Sequence, residues 1–142
     1  MPTTDFTADN FTPTKWDEAE TKARFAKQFI RFVELDFTER QFSQAFYKRL
    51  SLCFGHIAHF SRHGFYETFF SSTEGKVRFL RLTLQHQCCG DPAFTYSDVE
   101  RALQAWLQQN GVLALYEQKL AEEQEAAVRA ELVRLQAKYA GQ

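Results

Sequence analysis

The chain contains 142 residues with a formal net charge of −1, and 44% of the residues are hydrophobic. That length suits one domain and is enough to bury a core without disulfides or a structural metal. Three cysteines, of which Cys88 and Cys89 are neighbours, do not make the even, spaced set of a disulfide framework. The sequence has no apolar run of about eighteen residues and no basic-then-apolar leader, so we expect a cytoplasmic protein without membrane contact.

The first segment, residues 1–14, is rich in Thr, Asp, Asn and Pro and shows neither helical nor strand periodicity. We predict a flexible N-terminal tail there, followed by one all-α domain over residues 15–142. The patterns that follow predict an irregular bundle of about six helices, and residues 121–142 form a segment that can project from it.

A long amphipathic helix is predicted from Lys15, because apolar residues recur at alternating steps of three and four. These residues are Trp16, Ala19, Ala23, Ala26, Ile30, Val33 and Phe37. Thr14 is a suitable N-cap for this helix, and Thr38 is a suitable N-cap for a second helix that carries Tyr47 on its polar side. Further along, Ser97 with Glu100 three positions later predicts a capping box for another helix.

The middle of the chain, residues 53–70, reads CFGHIAHFSRHGFYETFF and holds three of the four histidines. If this stretch is one helix, Phe54 and Phe65 lie on an apolar face, and the thiol, imidazole and carboxylate groups lie roughly opposite. We therefore predict a central helix with one ordinary core face and one chemically distinct face.

That second face suggests a metal site. The candidate ligands are His56, His59, His63 and Glu67. Imidazole and carboxylate groups spaced four residues apart on a helix can share Zn²⁺ or another transition metal, and His86, Cys88 and Cys89 could add ligands from a later loop. The alternative is that these imidazoles lie along a solvated face and bond to carbonyls or water. No zinc-enzyme or di-iron motif is present to decide between the two.

A second hypothesis concerns an anionic partner such as nucleic acid. Between Arg40 and Gly90 the chain carries seven basic and two acidic residues. The basic residues are Arg40, Lys48, Arg49, Arg62, Lys76, Arg78 and Arg81. Their interleaving with Tyr47 and Tyr66 would suit phosphate binding and base stacking. The alternative is that they only solvate helix surfaces, since the overall pI is near 6.4.

Asn110 and Gly111 predict a stop before a last helix over residues 112–139, whose second part keeps a thin apolar stripe of Val128, Leu132, Leu135 and Tyr139. At 1.5 Å per residue this helix is roughly 40 Å long, so we expect its end to project or to pack against a second copy of the chain as a homodimer.

Motifs of common enzyme classes are absent from the sequence, and Cys53 beside His56 or His59 has only the residue types of a thiol nucleophile and its base. We therefore expect a small, non-enzymatic binding or regulatory protein with no firm cofactor. Its partner would be a protein or a nucleic acid, bound through the basic, aromatic middle or the last helix. The alternative is a helical metal-binding protein.

Overall fold

The computed structural model describes residues 6–54, 60–85 and 90–141, which form helices and turns without a strand. The helices are α1 (Ala19–Glu34), α2 (Gln44–Cys53), α3 (Arg62–Phe69), α4 (Thr73–Gln85), α5 (Ser97–Gln109) and α6 (Val112–Ala140). The prediction of an all-α single domain with about six helices and a long last helix is confirmed. Within the described residues, no helix is both long and apolar enough to cross a bilayer.

Helix α1 supplies the centre of the core, because its apolar face is wide. Its buried aromatic residues are Phe25, Phe29 and Phe32. The predicted start of this helix at Lys15 is wrong, since α1 begins at Ala19. The Thr14 hydroxyl accepts hydrogen bonds from the amides of Trp16 and Asp17 and so closes a separate turn. As a result Trp16, which the pattern assigns to the buried face, is 74% exposed.

The turn after α1 contains two consecutive residues in the left-handed region, Asp36 at φ 60° and Phe37 at φ 57°. Each such residue costs about 1–2 kcal/mol for a side chain other than glycine. The conformation places the Phe37 ring in the core, stacked on Phe70 at 5.1 Å between ring centroids and in edge contact with Tyr116. Burial of a whole phenyl ring, worth about 1.5–3 kcal/mol, offsets much of the backbone cost of the two residues, about 2–4 kcal/mol together.

The prediction of one continuous helix over residues 53–70 is wrong. Helix α2 ends at Cys53, and Phe54 has an extended backbone that directs its ring against Phe29. Ser61 is also extended, and its hydroxyl accepts from the Gly64 amide to cap α3. Residues 55–59 lie outside the described part of the chain. The two ends of the predicted helix therefore belong to different helices, and the opposite-face relationship across it is lost.

Two predicted caps also differ from the structure. Ser43, rather than Thr38, caps α2 by accepting from the Phe46 amide, while Thr38 precedes a short 3-10 turn. Tyr47 on α2 is buried and not on a polar side. Ser97 is the first residue of α5 and not its N-cap, so it does not form the predicted capping box with Glu100, and its hydroxyl donates to the Gly90 carbonyl at 2.7 Å. At Ser97 the Gly90 carbonyl thus engages the hydroxyl that the pattern assigns to the helix end.

Lys22 ties the loop before α5 to α1. It is fully buried, and its Nζ donates to the carbonyls of Pro92 and Thr95 and to Asp98 Oδ1, at 2.8–2.9 Å. These bonds satisfy all three ammonium protons, which a buried lysine requires.

The described part of the N-terminal segment packs against α1. Phe6 and Phe11 are both buried, with their ring centroids 5.7 Å apart. The Thr12 amide donates to Asp98, the carboxylate that also accepts from Lys22. Residues 6–12 therefore belong to the packed structure of the domain.

Helix α6 starts after Gly111, whose φ of 59° is the left-handed conformation that glycine adopts without strain. Its first half packs on α4 and α5 and buries Val112 and Tyr116. From residue 121 to the end of the helix every residue is exposed except Leu135, which is half-buried. With 29 residues the helix is about 43 Å long, and its second half leaves the core.

Candidate functional site

The second half of α6 carries an uncovered apolar stripe. Val128, Leu132 and Tyr139 are between 54% and 67% exposed, and half-buried Leu135 lies between them on the same face. Their steps of four, three and four residues keep the side chains in line along a helix. We call these four residues the α6 seam. With Ala127 and Glu131, three of them line a shallow, largely apolar groove along the helix.

Charged residues border the α6 seam. Glu131 accepts two hydrogen bonds from Arg134, at 2.6 and 3.0 Å, and Glu125 pairs with Arg129 one turn apart. Ion pairs at these spacings support an exposed helix from along its own surface. Together with the many Ala, Glu, Gln and Leu residues of this half, they favour helix where no other part of the fold covers it.

Within the described part of the chain, three polar contacts anchor the first half of α6 to the body. Tyr116 donates to Asp36, Glu117 pairs with Arg81 at 2.7 Å, and Glu123 accepts from the Thr73 hydroxyl at 2.8 Å. Beyond Glu123 the helix continues without a break to Ala140. The body therefore holds the helix firmly and leaves the α6 seam accessible.

A second uncovered apolar surface lies next to the N-terminal end of α1. We call it the Trp16 patch: Trp16, Leu52 and Phe94, which are between 58% and 74% exposed and line one groove with Tyr96 at its floor. The Tyr96 hydroxyl donates to Asp17 at 2.7 Å. Burial, together with this bond to a carboxylate, raises the pKa of Tyr96. Sequence reasoning missed this patch because Trp16 fits the period of α1 although it precedes the helix.

The structure describes only some of the candidate metal ligands. His63 and Glu67 lie one turn apart on α3, and both are exposed. His56 and His59, and also His86, Cys88 and Cys89, lie outside the described residues. Cys53 is buried. Among the residues that the structure describes, no three His, Cys, Asp or Glu side chains come together as a metal site would need. The metal site stays a prediction.

Most of the predicted basic surface is engaged within the fold. Three of its residues face carboxylates: Arg49 with Asp17, Lys76 with Asp36 and Arg81 with Glu117. Two donate to carbonyls at helix ends: Arg62 to Phe42 and Arg78 to Thr68. Arg40 and Lys48 are exposed. These contacts give five of the seven basic residues a structural role, and nucleic-acid binding stays a prediction.

Comparison with known proteins adds no assignment, since no family model, no curated protein and no solved structure matches this chain.

Proposed function

We propose that this chain is a non-enzymatic binding protein that acts by pairing the second half of α6 with another helix. The observation that carries the proposal is the α6 seam, an apolar line on a helix whose first half is fixed to the body. A partner that covers this line removes apolar surface from water, which contributes about 25 cal/mol of favourable free energy per Å² before the entropy cost of association.

The spacing of the α6 seam argues for a helical partner. Side chains at alternating steps of four and three form the narrow line that a second helix covers, with each side chain inserted between four residues of the partner. A flat or extended partner would leave part of this line in water. On the opposite face, Ala130 and Ala137 are exposed but offer little apolar area.

Site-specific photo-crosslinking in cells that express the full chain tests the proposal. A photoreactive residue replaces Leu132 in the α6 seam, and a matched variant carries it at Ala130 on the opposite face. We expect covalent protein adducts from position 132 and none from position 130. Both positions are exposed, so the substitutions leave the core intact. Absence of adducts from position 132, or equal adducts from both positions, would refute the proposed function.

A further inference from the structure

We infer that the helix paired with α6 is a second copy of α6, running antiparallel in one defined register. This inference rests on the proposed function and specifies its partner. The α6 seam alternates between two heptad positions, one held by Val128 and Leu135 and the other by Leu132 and Tyr139. In an antiparallel pair each position faces the other kind on the partner helix, so Leu132 lies opposite the partner's Leu135 and Val128 lies opposite the partner's Tyr139. All four residues of each α6 seam thereby face apolar side chains, and none faces a charge.

Charge complementarity supports the same register. Glu131 and Lys138 flank the α6 seam on one side, seven residues apart. With Leu132 opposite the partner's Leu135, Glu131 lies opposite the partner's Lys138, and two-fold symmetry repeats this ion pair. The Glu131 carboxylate has acceptor sites for the partner's lysine in addition to its bonds from Arg134.

The alternative registers bring like charges or unmatched groups together. A shift by one heptad places Leu135 opposite the partner's Glu125, sets Glu131 against Glu131 and sets Arg129 against Arg129. A parallel pair in register places Glu125 opposite Glu125 within the apolar line and loses the pairing of Glu131 with Lys138. Like charges at such positions select against an arrangement.

The position of the α6 seam along the helix also suits this arrangement. Paired residues in the chosen register run from Val128 to Tyr139, all beyond Glu123, where α6 contacts Thr73 of the body. Because the helices run in opposite directions, the two bodies lie at opposite ends of the paired segment. The register therefore covers the α6 seam without contact between the bodies.

Sedimentation equilibrium of the full chain measures this pairing, over concentrations from about 1 µM to about 1 mM. We expect a monomer–dimer equilibrium in the wild type. Leu132→Glu should raise the dissociation constant by about 100-fold or more, because it puts a charge in the apolar line. Val133→Glu is the matched control, since Val133 is the next residue and is 63% exposed but lies off the seam. Its dissociation constant should stay within about threefold of wild type.

Charge reversal tests the register. Lys138→Glu should weaken the dimer about tenfold, because it turns two attractions into two repulsions, and the double variant Glu131→Lys with Lys138→Glu should return to within about threefold of wild type. Circular dichroism verifies that each exposed substitution leaves the helix content unchanged. A double variant as weak as Lys138→Glu alone, or equal loss in Leu132→Glu and Val133→Glu, would overturn the inference.

The two proposals fail in different ways. A wild-type chain that stays monomeric at about 1 mM, but forms crosslinks from position 132 to another protein, overturns self-pairing and keeps the proposed function. A chain with no crosslinks from position 132 overturns both. Crosslinks from position 132 to a second copy, with recovery in the charge-reversed double variant, support both.

Discussion

The Tyr116 hydroxyl donates a hydrogen bond to Asp36 Oδ1 at 2.5 Å, which joins α6 to the left-handed turn after α1. Lys76 Nζ lies 3.2 Å from the same carboxylate oxygen. Burial acts to raise the pKa of Asp36, but the hydrogen bonds from Tyr116 and Lys76 outweigh it and leave the pKa below its usual 3.8. Burial and the bond to Asp36 raise the pKa of Tyr116 above its usual 10.0.

These shifts predict a loss of stability in alkali. Below about pH 10 the folded and unfolded states both hold the Tyr116 proton, whereas above that pH the unfolded state releases it first, so the free energy of unfolding falls as the pH rises. Tyr116→Phe should lower the free energy of unfolding near neutral pH by about 1 kcal/mol and make the alkaline fall shallower. Urea unfolding at about pH 7 and about pH 11 measures both effects.

Tyr96, whose pKa is also raised, should retain part of the alkaline fall in that variant. An equally steep fall in wild type and Tyr116→Phe would contradict the assignment. In acid the direction of the pH dependence reverses. Because the pKa of Asp36 is lowered, its contribution to the free energy of unfolding is lost only as the pH falls below about 3.8.

The buried Lys22 predicts a large effect from a substitution that preserves its length. Lys22→Met keeps an unbranched side chain but removes the ammonium that donates to Asp98 and to the carbonyls of Pro92 and Thr95. We expect the free energy of unfolding, measured in urea, to fall by about 3 kcal/mol or more. Lys27→Met, at an exposed position of the same helix, should change stability by less than about 0.5 kcal/mol. Similar losses in the two variants would show that the buried contacts contribute little.

Replacement of Gly75 by alanine should destabilise the protein, which is the opposite of the usual effect of this substitution in a helix. Replacement of glycine by alanine in a helix normally stabilises it by about 1 kcal/mol. At Gly75 an added Cβ would lie 2.8 Å from the Phe69 carbonyl oxygen and 2.9 Å from that of Thr68, where α4 meets the end of α3. We expect Gly75→Ala to destabilise the protein by about 2 kcal/mol in thermal or urea unfolding. Gly141→Ala, where the nearest atom is 3.7 Å away, is the control and should cost nothing measurable.

Hydrogen exchange should divide α6 into two parts. Residues 113–120 pack on the body, whereas residues 124–140 are almost all exposed. In dilute solution the amides of residues 124–140 should therefore exchange at least about tenfold faster than those of residues 113–120. Because self-pairing covers the α6 seam, the protection of residues 124–140 should rise with protein concentration, and that of residues 113–120 should not. Concentration-independent exchange along the whole helix would contradict this expectation.

The features that local pattern determines were predictable from the sequence. The bounds of α6 follow from Gly111, which suits a left-handed turn, and from the continuous run of helix-forming residues after it. The buried face of α1 follows from its period, since Ala23, Ala26, Ile30 and Val33 of the predicted stripe are all buried. The apolar line of the α6 seam was visible for the same reason.

The errors arose where a contact distant in sequence decides the local structure. The α2–α3 break depends on the packing of Phe54 against Phe29, which the local pattern does not encode. Ser97 donates to Gly90 because the preceding loop folds back on it. The Trp16 patch forms because Leu52 and Phe94 come from other segments of the chain.

The contrast between the two tryptophans, exposed Trp16 and buried Trp106, equips the protein with its own optical readout. Iodide in solution collides with the indole of Trp16 and suppresses its emission, while Trp106 continues to fluoresce from the core. The quenchable fraction thus reports whether the Trp16 patch is covered, and the residual emission reports whether the core is intact. A single titration follows both without any label.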